Sequence, residues 1–170
     1  MPLAAQRAGR LDGRLRAFRR LWLSFALSWA AASIAGSAAP LQPLIDETLT
    51  GSTLTLPPGR YAGPAVIDRP MVVDGQNRAT IDGNGKGTVL TIRTNSVVLR
   101  GVTIVGSGES HDRIDSGILV EGNHNRLENN RIEDALFGIT LHRANNNVVP
   151  GNHIRSRPAD IADRGDFVTG

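Results

Sequence analysis

Between residues 63 and 157 the apolar positions come in short alternating bursts split by glycine and asparagine, and none of them keeps a helical spacing. The bursts repeat. Ser116-Gly-Ile-Leu-Val-Glu121 lies over Phe137-Gly-Ile-Thr-Leu-His142 at a register of 21 residues. His124-Asn-Arg-Leu-Glu-Asn-Asn-Arg-Ile132 lies over Asn146-Asn-Val-Val-Pro-Gly-Asn-His-Ile154 at a register of 22, so one residue is inserted at a corner. Thr88-Val-Leu-Thr-Ile-Arg93 and Val97-Val-Leu-Arg-Gly-Val-Thr-Ile104 fit the same template 28 residues earlier, the difference being an enlarged loop from Val105 to Asp115. Met71-Val-Val-Asp-Gly75 and Ala79-Thr-Ile81 give a still earlier turn.

Strands of three to five residues cannot bury a face alone. Stacked as coils, they pair with the turns above and below and enclose one aliphatic column. The repeat therefore predicts an all-β, right-handed parallel β-helix of the pectin-lyase-like kind. The inward ladders it predicts are Leu90/Ile118/Ile139, Ile92/Val120/Leu141, Leu99/Leu127/Val149 and Ile104/Ile132/Ile154. All eleven asparagines lie between residues 77 and 152. Asparagine tolerates left-handed backbone at tight corners, and stacked asparagine side chains hydrogen-bond as a ladder. Asn125 under Asn147 and Asn130 under Asn152 are the expected structural ladder pairs.

Ahead of the repeats, Leu41 to Leu49 is a short amphipathic stretch able to form one or two helical turns, read as a cap over the exposed first turn of the solenoid. Ser52-Thr-Leu-Thr-Leu-Pro-Pro-Gly-Arg-Tyr61 reads as an alternating strand stopped by Pro57-Pro58-Gly59. The domain reading is a signal peptide over 1–38, a cap and first strand over 39–62, and repeats over 63–170.

Composition narrows this picture. The chain of 170 residues has no cysteine, which excludes disulfides, thiolate metal sites and a cysteine nucleophile. The formal charge of +3 is misleading: residues 1–38 carry +5 and the remainder −2, so the basic balance is no argument for nucleic acid as a partner. Arg14, Arg16, Arg19 and Arg20 precede the apolar run Leu21 to Ala35, and Gly36-Ser-Ala38 follows, the order of a secretory signal cut after Ala38. It is read as a Sec-type signal in preference to a twin-arginine one, and the mature chain is expected in the periplasm.

The pieces Asn130-Arg-Ile-Glu-Asp-Ala-Leu-Phe-Gly-Ile-Thr-Leu141, Gly151-Asn-His-Ile154, Leu56-Pro-Pro-Gly-Arg-Tyr61, Ile81-Asp-Gly83 and Leu99-Arg-Gly-Val-Thr-Ile104 together resemble the NosD family. That resemblance implies a parallel β-helix and a periplasmic, non-catalytic accessory role in assembling the copper centre of nitrous oxide reductase. The partners it implies are the ATPase and permease subunits of an ABC transporter, a copper chaperone and nitrous oxide reductase; the cofactor or cargo it implies is copper. Family members are longer, and after Arg164-Gly-Asp166 this chain reads Phe167-Val-Thr-Gly170, so a shortened N-terminal portion is expected. The resemblance carries no ligand residue across.

The residues themselves offer imidazole and thioether groups as copper ligands. His142 should point outward in column with Glu121 and Arg93, His153 outward above Arg131 and Thr103, and His124 should sit at a corner one turn below. These three are the candidate metal ligands. His111 falls in the long loop, and Met71 reads as core. The alternative reading is a carbohydrate-binding scaffold or a polysaccharide lyase or hydrolase, which needs carboxylates clustered on one outward face. Glu109, Asp112 and Asp115 share a loop and Glu133-Asp134 a corner, but no pair repeats in column.

Overall fold

The computed structural model describes residues 38–157, so the expected signal segment and the chain beyond Arg157 lie outside the described residues. Strand β1 (Ala39–Pro40) leads into helix α1 (Leu41–Glu47). Then come β2 (Thr53–Thr55), β3 (Gly59–Ala62), β4 (Ala65–Ile67), β5 (Val72–Asp82), β6 (Leu90–Ile92) and β7 (Val98–Val105). After these follow β8 (Ser116–Val120), β9 (Arg126–Glu128), β10 (Arg131–Ala135), β11 (Phe137–Leu141) and β12 (His153–Ser156).

Every strand pairing is parallel, and the strands coil as a parallel β-helix of about five turns. Three columns run up it. The first stacks β2, the start of β5, the start of β7 and β9. The second stacks β1, β3, the end of β5, the end of β7, β10 and β12. The third stacks β4, β6, β8 and β11. β2 and β3, which the sequence places ahead of the repeats, pair in parallel with β5 and supply two sides of the first turn.

The registers are those of the repeat. Leu90 pairs with Ile118 and Ile118 with Ile139; Ile92 pairs with Val120 and Val120 with Leu141. Leu99 pairs with Leu127, and Ile104 with Ile132 and then Ile154. Leu90, Ile92, Leu99, Ile104, Ile118, Leu127 and Ile132 are fully buried in a single core. At the last described turn the same ladders open: Leu141, Val149 and Ile154 are 48%, 44% and 48% exposed. Gly117 is required by packing, because a Cβ there would stand 2.6 Å from Cγ2 of Ile132.

Corners are set by left-handed backbone at repeating positions. Ser96, His124 and Asn146 have φ of 59°, 56° and 56°, each at the corner between the third and first columns. Gly101, Asn129 and Gly151 have φ of 60°, 54° and 64° at the corner between the first and second. Asparagine and glycine reach this region at the least steric cost, which is why they punctuate the repeat.

The first turn is closed by α1. Leu41 and Ile45 are fully buried beneath it. The Gln42 side chain behaves as one more strand: its Oε1 accepts from the Val66 N–H at 2.7 Å, and its Nε2 donates to the Val66 carbonyl at 3.1 Å. The edge of β4 is thereby satisfied without a neighbouring strand, a way of blunting an edge. On the second column β1 covers β3.

Candidate metal-binding surface

The corner between the third and first columns carries most of the candidate chemistry. It is built by the residues that follow β6, β8 and β11. Because β6, β8 and β11 stack in register, Arg93, Glu121 and His142 rise in one column just beyond their ends. Arg93 Nε donates to Glu121 Oε2 at 3.0 Å, and Glu121 Oε1 lies 3.8 Å from His142 Nδ1. His142 and Glu121 are open to solvent, with side chains 53% and 33% exposed.

His124 belongs to the same corner, three residues beyond Glu121. Its left-handed backbone makes it a turn residue, and its Nε2 lies 3.4 Å from Asn146 Nδ2. His153 lies elsewhere. It opens β12 on the second column, paired with Arg131, which in turn pairs with Thr103. Its imidazole adds to the Arg131 hydrogen bond and the Arg155 charge in holding the Glu133 carboxyl below its ordinary value, the Arg131 bond being the largest cause. The structure thus brings His124 and His142 to one corner and places His153 on another face. Among the described residues no three His, Cys, Asp or Glu side chains come together as a metal-holding group. His111 packs edge-on against Phe137, with ring centroids 5.8 Å apart, and Met71 is buried in the core. A closed, preset metal cage does not fit the described residues.

Behind this surface stands a framework of asparagines. Asn125 Oδ1 accepts from the Val97 N–H at 2.8 Å, and Asn147 Oδ1 accepts from the Asn125 N–H at 2.8 Å. Asn130 Oδ1 accepts from the Val102 N–H at 3.2 Å, and the Asn130 N–H and Nδ2 both donate to Asn152 Oδ1 at 3.0 Å. A third ladder went unread in the sequence: the Asn123 N–H donates to Asn95 Oδ1 at 2.6 Å and the Asn145 N–H to Asn123 Oδ1 at 2.7 Å. Its signal was present, since 95, 123 and 145 keep the same spacings of 28 and 22. Four further asparagines, Asn77, Asn84, Asn129 and Asn146, take the left-handed corners.

Arg157 holds Glu109 and Asp134, both at 2.7 Å, and Asp115 Oδ2 accepts from the Ser110 N–H at 2.9 Å inside the long loop. Two shallow depressions lie on the outward side of the second column. One is lined by Glu133, Asp134, Arg155, Ser156 and Arg157, the other by Ala38, Arg60, Ala62, Asp82 and Asn84. Neither holds a histidine. Among the described residues no helix is long and apolar enough to cross a membrane.

Fold and surface together define a class: a parallel β-helix whose outward ladders carry charge pairs and scattered imidazoles around an aliphatic column. Residues 75–164 match the family model described as periplasmic copper-binding protein (NosD), and the chain belongs to that family. Curated relatives agree. A protein of Pseudomonas aeruginosa named "Probable ABC transporter binding protein NosD" is 31% identical over 131 residues, covering 66% of this chain and 31% of the relative. Its namesake from Stutzerimonas stutzeri is 29% identical over 101 residues, covering 58% of this chain and 23% of the relative. A second Pseudomonas aeruginosa relative of the same name is 29% identical over 89 residues, covering 52% of this chain and 82% of its own length. The chain therefore spans less than a third of the first two relatives. No solved structure matches.

Proposed function

We propose that this chain is a periplasmic accessory protein that handles copper for assembly of the copper centre of nitrous oxide reductase. It does so beside the ATPase and permease subunits of an ABC transporter and a copper chaperone. The observation that carries this reading is the family match over residues 75–164. The name shared by the relatives supports a transporter as partner. The chemistry of the surface is compatible with cargo handling. His124, His142 and His153 are outward imidazoles outside any closed cage, and such ligands bind weakly and release readily, as delivery requires. The role proposed is binding and not catalysis.

The test is complementation. Express the full chain in a denitrifying bacterium whose own NosD gene is deleted, and measure the copper content of the nitrous oxide reductase it makes. Restored copper loading supports the reading. An enzyme as copper-poor as in the empty-vector control sinks it for this chain.

A further inference from the structure

We propose that Asn84 is a site of spontaneous covalent modification, converted to aspartate and isoaspartate through a cyclic imide that its own neighbour Gly85 closes.

The asparagines of the solenoid divide by what holds them. Asn95, Asn123, Asn125, Asn130, Asn147 and Asn152 each accept a backbone N–H through Oδ1, which fixes the carboxamide against another turn. Asn84 belongs to no ladder. It sits in the loop between β5 and β6, where its backbone N–H donates to Asp82 Oδ1 at 2.8 Å. Among the described residues its side-chain amide has no hydrogen-bond partner. Asn84 and Gly85 are both exposed, with left-handed φ of 52° and 72°. Of the eleven asparagines, Asn84 alone is followed by glycine. Gly85 offers an unhindered backbone nitrogen, and a Cβ built there would meet nothing within 4 Å.

The chemistry needs only water. The Gly85 nitrogen loses its proton to solvent and bonds to Asn84 Cγ. The Cγ–Nδ2 bond breaks, and ammonia leaves with a proton from water. A water molecule then opens the five-membered imide. Breaking the new Cγ–N bond gives aspartate; breaking the original backbone C–N bond gives isoaspartate. One contact gates the first step. The Gly85 N–H donates to the Gly106 carbonyl at 2.9 Å, so the loop must open locally before the ring closes. Isoaspartate adds a carbon to the backbone and displaces that N–H. It thereby loosens the stack that also holds the Gly108 N–H on the Gly87 carbonyl at 2.7 Å. Either product puts a new carboxylate into the depression lined by Arg60 and Asp82.

The experiment incubates the purified full chain at mildly alkaline pH, folded and in urea, and follows it by peptide mass mapping. Isoaspartate is scored by labelling with an isoaspartyl methyltransferase. In the folded chain the amide-to-acid mass gain should appear first on the peptide Ala79–Lys86, together with the label, while peptides holding the ladder asparagines stay unchanged. Unfolding in urea should speed the Asn84 reaction, because the Gly106 contact is gone. Asn84→Gln should abolish the early gain. A gain that appears first on a ladder asparagine of the folded chain overturns the proposal. So does an Asn84 that converts in urea yet stays intact in the folded chain throughout the incubation.

Discussion

The first turn and the last described turn of the solenoid carry the same kind of ladder residue and treat it differently. Under the first turn, Leu41 and Ile45 of α1 are fully buried and Gln42 completes the edge of β4. At the other end Leu141, Val149 and Ile154 keep the column's register yet stand 48%, 44% and 48% exposed. Their partners one turn below, Val120, Leu127 and Ile132, and two turns below, Ile92, Leu99 and Ile104, are fully buried. What buries a ladder residue is therefore the turn on each side of it and not its own identity. In a solenoid, stability accrues by nearest-neighbour contact, so equal side chains contribute unequally along one column.

The sharpest way to break this comparison is to cut the same side chain at both places. Ile104→Ala removes a fully enclosed residue and leaves a cavity, at a cost of about 2–5 kcal/mol. Ile154→Ala, one turn beyond Ile132 in the same ladder, should cost less than about 1 kcal/mol, because half of that side chain already meets water. Urea midpoints at an unchanged slope measure both. Equal losses would show that the end ladder is as enclosed as the middle.

A smaller effect separates the asparagine ladders. Asn130 is buried and ties the Val102 N–H, at 3.2 Å, and the Leu99 carbonyl, at 3.0 Å, to its own turn. Asn130→Ala strands both groups away from water and should cost about 1–3 kcal/mol. Asn95 accepts one N–H, from Asn123, but does so at the surface, where water replaces it. Asn95→Ala should stay within about 0.5 kcal/mol. The same denaturation series decides, and an Asn95→Ala loss as large as that of Asn130→Ala would place the two ladders on equal footing.

These contrasts also mark what the sequence could carry. The ladders were legible because spacings of 21, 22 and 28 hold the apolar positions in phase over several turns. The column of Arg93, Glu121 and His142 follows from the same phase and needed no further information. The Asn95/Asn123/Asn145 ladder was equally legible and was masked by the clearer pairs beside it. Other features have no local signal. Gln42 satisfies a strand edge 24 residues away, a contact that no period announces. That His124 and His142 share a corner while His153 lies on another column depends on where each turn bends, and the one-residue difference between registers of 21 and 22 conceals it.

The smallest expected effect concerns acid, and again sets a contact between turns against one within a strand. Asp74 has its carboxyl held below the ordinary value by the Gln76 N–H and by Arg100, with burial opposing. Arg100 lies 26 residues along the chain, on the next turn, and reaches Asp74 Oδ2 at 2.9 Å. That attraction exists only when the turns are stacked. Glu133 is also held below its ordinary value, first by the hydrogen bond from Arg131, but Arg131 is two residues away on the same strand. Arg131 stays near Glu133 when the chain unfolds, so the shift survives in part and links little to folding. A carboxyl depressed in the folded state stabilises that state above its unfolded value, about 3.9 for aspartate. The contribution is lost as pH falls through the lower folded value. Between pH 6 and pH 3 the urea midpoint should therefore fall less in Asp74→Asn than in wild type, while Glu133→Gln tracks wild type. Matching profiles for Asp74→Asn and wild type would mean that the pairing between turns adds nothing to the stacking that brings its members together.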